Sequence, residues 1–302
     1  MSQPFRLNKE GLINRNKKIS FTFNGKKLFG YEGDTIASAL IANGIHLVGR
    51  SFKYHRPRGF FGAGVEEPNA KLQVEFNGHS EPNVNATEME LVEGLSATSQ
   101  NCWPSVNFDI GAINNFLKMF FPAGFYYKTF MWPKSFWYKI YEPFIRKAAG
   151  LGVASIEKDK ERYEHKFEYC DLLVTGSGPS GLASAYAAAK NGAKVILAED
   201  KPRFGGTLLT DDVSIDNLSG KDWAEKIITE LKSMPNVTVK NRSQVFGYYD
   251  HNMLVMFERV SDHLEKKSKF TPRQRLWYIR AKETILSTGS IERPIVFGNN
   301  DT

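Results

Sequence analysis

The sequence predicts two fold classes in series: an α+β module of the β-grasp, ferredoxin-like type, then an α/β Rossmann-like FAD/NAD(P)-binding domain. Near the start, two alternating apolar runs flank Asn24-Gly25 and lead into a short helical stretch. In the second half, Gly176-Ser-Gly178-Pro-Ser-Gly181 sits between a strand-like run and a helix-like run. A composition of 41% hydrophobic and 24% charged residues is that of a chain able to bury a sizeable core.

The first module, residues 1–95, begins with Lys18–Phe23 and Lys26–Tyr31 around Asn24-Gly25, a pair suited to a type I′ turn because both central residues need positive φ. Asp34 is expected to cap a helix over Thr35–Asn43, with Gly44 ending it, and further strands are expected at Lys71–Phe76 and Glu88–Val92. Residues 96–165 read as an aromatic connector that ends in the charged run Glu157–Arg162. Lys118, Pro122, Lys128 and Pro133 interrupt its apolar residues, so no membrane span is expected and the aromatics suit a subunit interface.

Residues 166–302 carry the second domain. Cys170–Thr175 reads as a buried strand, Leu182–Lys190 as a helix and Ala193–Ala198 as a second strand, forming one βαβ unit. Helix Trp223–Met234 and strands Val237–Lys240, Val245–Tyr249, Leu276–Ala281 and Glu283–Ser287 follow. In the fingerprint, Gly176 permits the tight turn, Gly178 lets backbone approach a pyrophosphate, and Gly181 lets helix and strand pack closely. Pro179 and Ser180 open a helix whose N-terminus suits phosphate oxygens. Glu199, 23 positions after Gly176, is the candidate for the ribose hydroxyls, with Asp200 in reserve. Gly205 and Gly206, then Thr288 and Gly289 in a Ser-Thr-Gly turn, complete the cofactor-binding candidates. The fingerprint alone leaves FAD and NAD open.

No catalytic or metal-binding residue is assigned. The only cysteines, Cys102 and Cys170, form no C-x-x-C pair, and His55 has no metal-site spacing around it. The net charge of +7 is scattered, so no nucleic-acid partner is expected. The basic string Arg50, Lys53, His55, Arg56 and Arg58 is read as a structural loop in preference to a phosphate site. Two cysteines and the lack of a signal-like apolar start fit a cytoplasmic setting.

Several longer strings resemble the alpha subunit family of heterotetrameric sarcosine oxidase: Arg50–Gly59 with Ala63–Asn69, Asn101–Ser105, Pro122–Trp132 and Thr288–Pro294. The resemblance implies NAD on the dinucleotide fold of this chain, with FAD and FMN mainly on a beta subunit. It also implies gamma and delta subunits as partners, and sarcosine and tetrahydrofolate as substrates of the complex. Related amine and opine dehydrogenase subunits carry cluster cysteines where this chain has Phe61, Glu66 and Asn69, so the first module is expected to be cluster-free, with no iron–sulfur cluster. A full family member continues beyond Thr302, so the chain is expected to be a fragment with an incomplete second domain and weak NAD affinity in isolation. A structural subunit with a non-reactive NAD, a related amine or opine dehydrogenase subunit, and a self-sufficient NAD(P)H–flavin oxidoreductase are the alternatives; the last would need a second nucleotide motif.

Overall fold

Antiparallel pairing across Asn24-Gly25 starts the first sheet: β1 (Asn14–Phe23) folds back on β2 (Lys26–Glu32), with Phe23 opposite Lys26. Asn24 and Gly25 take φ of +48° and +78°, the left-handed pair that a tight hairpin needs. The computed structural model describes residues 3–9, 11–120, 124, 130–291, 295 and 297. Parts of the Pro122–Trp132 and Thr288–Pro294 strings therefore lie outside the described residues. The chain divides into two units, one holding Met1–Asp159 and the other Lys160–Ile291.

In the first unit, helix α1 (Ile36–Ala42) lies between β2 and strands β3 (Lys71–Phe76), β4 (His79–Asn85) and β5 (Ser96–Ser99). The sheet order is β2-β1-β5-β3-β4, with β1 and β5 parallel and the other pairs antiparallel, which is a β-grasp arrangement. Phe21 and Phe23 of β1, Ile36 and Leu40 of α1, and Leu72 of β3 meet in one core. The expected strand at Glu88–Val92 is replaced by a single bridge between Thr35 and Glu90, and the paired strands are β4 and β5. Residue 95 falls just before β5, so the segment expected to open the connector supplies a strand in the middle of the sheet.

The cap of α1 also differs. Thr35 is the N-cap, exchanging hydrogen bonds with Ser38, while Asp34 lies beneath it. Asp34 is 1% exposed and accepts from both Arg6 Nη atoms, the Tyr31 N–H and the Ser38 hydroxyl. A buried carboxylate is tolerated only with such a full set of donors.

The second unit is a six-stranded sheet. Its strands are β6 (Tyr163–Thr175), β7 (Val195–Ala198), β8 (Val237–Lys240), β9 (Ser243–Tyr249), β10 (Met253–Arg259) and β11 (Gln274–Leu286), in the order β8-β7-β6-β11-β10-β9. The first four in that order run parallel, and β10 and β9 continue the sheet antiparallel. Helix α3 (Pro179–Lys190) connects β6 to β7, and α4 (Gly220–Ser233) leads into β8; α2 (Glu142–Ala149) belongs to the first unit. Side chains alternate across the sheet: Leu172, Val174, Val195 and Leu197 pack with α3 and α4, while Cys170, Leu173, Ile196 and Ala198 pack with Leu254, Met256 and Ile279. Both faces are covered, which explains why these strands read as unbroken apolar runs.

Two expected strands, Leu276–Ala281 and Glu283–Ser287, are one 13-residue strand held along β6. Strand β10 was not expected; it forms from Met253-Leu-Val-Met-Phe257 after a turn in which His251 and Asn252 have φ of +59° and +54°. No helix of the described residues is long and apolar enough to cross a membrane.

Replacing Asp34 with Ala leaves Arg6 and two shorter donors without their buried acceptor, and is expected to cost roughly 3 kcal/mol of unfolding free energy. Urea denaturation of the two proteins measures it.

Candidate functional site: the glycine turn and its brace

Strand β6 ends at Thr175, and the Gly176 N–H donates to Ala198 O of β7 at 2.8 Å. Gly176 has φ of +96°, and a Cβ there would stand 2.2 Å from Ser287 O. A Cβ on Gly181 would stand 2.0 Å from Gly176 O. Both glycines are therefore demanded by backbone packed on backbone, not by a ligand. Gly178 differs: it is extended with φ of −65°, caps α3, and has nothing within 4 Å of an added Cβ. Its open face and the first turn of α3, at Pro179 and Ser180, form a shallow backbone cradle. Helix first turns leave N–H groups without intrahelical partners, which suits phosphate oxygens.

Ser177, fully buried between the two glycines, is the brace. Its N–H donates to Glu199 Oε2 at 2.9 Å and its hydroxyl donates to the same oxygen. Glu199 Oε1 accepts from the Lys201 N–H at 3.1 Å. The Gly205 N–H in turn donates to both the Ser177 carbonyl and hydroxyl oxygens at 3.1 Å. Gly206, at φ of +54°, brings the second loop so close that its Cβ would lie 2.9 Å from Gly178 Cα. The structure thus gathers Gly176, Gly178, Pro179, Ser180, Gly181, Glu199, Gly205 and Gly206 around one turn. Asp200 is half-buried beside Glu199, and its carbonyl accepts from Arg259. Thr288 and Gly289 are exposed; the residue of that segment packed on the turn is Ser287.

Glu199 was expected to face ribose hydroxyls. It is 5% exposed, and its described hydrogen bonds go to the protein's own turn. Burial, reinforced by neighbouring Asp200, pushes its carboxyl up to about 7 against the pull of the Ser177 and Lys201 donors. In the same unit, burial pushes the Cys170 thiol up to about 12, so it is a core residue and not a reactive one.

Two residues outside the glycine turn also differ from expectation. No acid was tied to His55 by sequence, yet its Nδ1 lies 2.6 Å from Asp109 Oδ2, both buried. In the Phe61–Asn69 loop, Glu67 is 1% exposed and accepts four backbone N–H groups, from Phe61, Gly62, Asn69 and Ala70. Ser177, Ser287 and Glu67 were not singled out by sequence. The small residue inside the G-x-G spacing was the available signal for Ser177; for Glu67 there was none, because a buried glutamate looks like a surface one.

Residues 171–255 match the family described as FAD dependent oxidoreductase, and residues 16–102 match the 2Fe-2S iron-sulfur cluster binding domain family. The chain is 54% identical over 297 residues to the sarcosine oxidase subunit alpha of Rhizobium meliloti (strain 1021), across 98% of this chain and 30% of that one. It is 34% identical over 310 residues to the subunit alpha of Corynebacterium sp. (strain U-96), across 100% of this chain and 27% of that one. The chain is a homologue of sarcosine oxidase alpha subunits. It spans about 30% of the length of these alpha subunits. Among solved structures, L-proline dehydrogenase from P. horikoshii shares the fold at a TM-score of 0.60 and 20% identity, over 99% of this chain and 45% of that one.

The match over 16–102 corrects one expectation. A first module of a kind without an iron–sulfur cluster was expected, and the family it matches is one that binds a 2Fe-2S cluster. The residues of the described loop do not fit such a group, whose usual donors are thiolates. Phe61, Glu66 and Asn69 offer none, the Glu67 carboxylate holds the loop amides, and no group of three or more His, Cys, Asp or Glu among the described residues is placed to hold a metal ion.

Two outcomes follow from these carboxylates. A carboxyl whose folded-state pKa is raised binds protons more tightly folded than unfolded, so stability falls as pH rises from about 4.5 to about 7 and levels off above. The fall is of order 3 kcal/mol, and Glu199→Gln is expected to flatten it, as read by denaturant unfolding across that range. Glu67→Gln leaves two of four buried N–H groups facing an amide that donates, at a cost of roughly 2–4 kcal/mol, measurable as a lowered unfolding midpoint.

Proposed function

We propose that this chain is the dinucleotide-binding alpha-subunit portion of a multisubunit flavoenzyme that oxidatively demethylates sarcosine, with oxygen as electron acceptor and tetrahydrofolate as one-carbon acceptor. The observation that carries the reading is the open face of Gly178 at the head of α3, in a chain 54% identical to a sarcosine oxidase alpha subunit. The backbone N–H groups of Ser180 and Gly181 receive the pyrophosphate of the dinucleotide, Gly178 gives it room, and Glu199 fixes the turn through Ser177. The matched family's description names FAD as the group for this fold. When bound, an FAD supplies hydride and electron transfer; the residues here bind and orient its adenine-nucleotide half.

Partners in this reading are beta, gamma and delta subunits. Large apolar side chains on the first unit support it: Phe116, Met119, Trp132 and Tyr138 are each more than four-fifths exposed. Isolated exposed apolar residues are ordinary, but aromatics and Met concentrated in one stretch of chain are what subunit interfaces use.

A second reading, a supporting subunit whose dinucleotide does not turn over, is favoured by the chemistry of the cradle. Its open face is backbone, its one carboxylate is buried beneath the turn, and the thiol of this unit sits in the core.

Gly178→Val tests the cradle directly. The position has ordinary φ and free space, so the variant is expected to fold with stability within about 1 kcal/mol of the parent. Copurified with its partner subunits, it is expected to retain at least about tenfold less dinucleotide, a loss of about 1.4 kcal/mol or more in binding. Nucleotide extracted from the complex identifies the cofactor as FAD or NAD, and reduction of that nucleotide on addition of sarcosine separates the two readings. Undiminished nucleotide in the Gly178→Val complex refutes the cradle.

A further inference from the structure

The basic string that the sequence reading set aside as structural lines a cavity of ≈ 480 Å³ in the first unit. Arg50, Lys53, Arg56, Arg58 and Lys71 all contribute to its wall, and no carboxylate is among the described lining residues. The volume is that of a small-molecule site.

The described partners of two of these cations leave their charge in place. Arg50 donates through Nε and Nη2 to Val106 O at 2.8 and 2.6 Å, and through Nη1 to His55 O at 3.1 Å. Arg56 donates from Nε to Asn115 Oδ1 at 3.0 Å and stacks 5.0 Å over Tyr54. Carbonyl, amide and ring partners orient a guanidinium without neutralising it. Burial, and after it the charge of Arg56, holds Arg58 below the usual arginine range. With a further bond from Nη2 to Asn107 O at 3.3 Å, Arg50 is built in by four hydrogen bonds, so the wall is positioned before any ligand arrives. Amide side chains from Asn69 and Asn101 add polar surface beside the cations.

We propose that this cavity is a second anion site, separate from the glycine turn, and that it takes a small phosphate ester. Five cations in one wall exceed what a single carboxylate would use, and arginine forks match the tetrahedral oxygens of phosphate. The site lies wholly in the first unit, so its occupancy does not depend on the dinucleotide reading of the second.

Calorimetric titration of the full 302-residue chain with inorganic pyrophosphate at low ionic strength tests it, in the Gly178→Val background so that the glycine turn does not contribute. Saturable one-to-one binding is expected. Arg58→Gln combined with Lys71→Gln is expected to weaken it at least about tenfold, and Arg58→Gln with Lys71→Arg to recover part of that loss. Circular dichroism and the unfolding midpoint show whether each variant is folded; should the double variant fail to fold, the single Lys71→Gln chain takes its place with an expected loss of about threefold. Absence of saturable binding, binding unchanged in the glutamine variants, or binding found in the parent chain and abolished by Gly178→Val alone each overturns the proposal.

Discussion

Three backbone segments converge at Gly176 so tightly that no side chain fits between them. The carbonyl of Ser287 faces the α-carbon of Gly176, and the carbonyl of Gly176 faces that of Gly181. This contact fixes where β6 ends, where α3 begins and how close β11 approaches. The cradle at Gly178 is a by-product of that geometry: the chain has to turn there, and the one glycine not needed for packing is left facing outward. The buried Ser177–Glu199 pair then ties the turn to the end of β7 and, through Gly205, to the next loop.

The same economy appears in the first unit. Asp34 and Glu67 are buried acidic residues with full sets of donors: Asp34 joins Arg6 to the Tyr31 N–H of β2 and the Ser38 hydroxyl of α1, while Glu67 collects four N–H groups of its own loop. Glu67 does in irregular backbone what ladders do in sheets: it gathers N–H groups that regular structure would otherwise pair. The His55–Asp109 pair plays a comparable part between the Arg50–Arg58 loop and the segment after Asn101.

Much of the fold was legible because its signals are local. Asn24-Gly25 forces a hairpin, Gly176–Gly181 forces a strand-turn-helix, and the alanine-rich stretch that follows has little alternative to helix. What was not legible depended on distant partners. The strand Ser96–Ser99 is short and gains its place only by pairing with Leu72–Glu75 and Thr22–Phe23. Strand β10 follows a turn that uses His251 and Asn252, not a glycine, so no local turn signal set it off. At the site, the glycines were readable from spacing, but the brace was not: that Glu199 accepts from Ser177 and Lys201 depends on burial, which spacing does not show. The cluster expectation rested on missing cysteines, and the match of residues 16–102 to a 2Fe-2S cluster binding family is a likeness that a count of donors does not register.

The alternation along Leu172, Leu173 and Val174 has an evolutionary consequence. These side chains serve two different cores on opposite faces of one strand, immediately before the glycine turn. Gain or loss of a single codon in that stretch would exchange the two faces and rotate the turn away from its brace in the same event. The reading phase of the motif is therefore locked to the interior on both sides. The loops that approach the cradle are outside this constraint; the distance by which the cradle follows its strand is held by it.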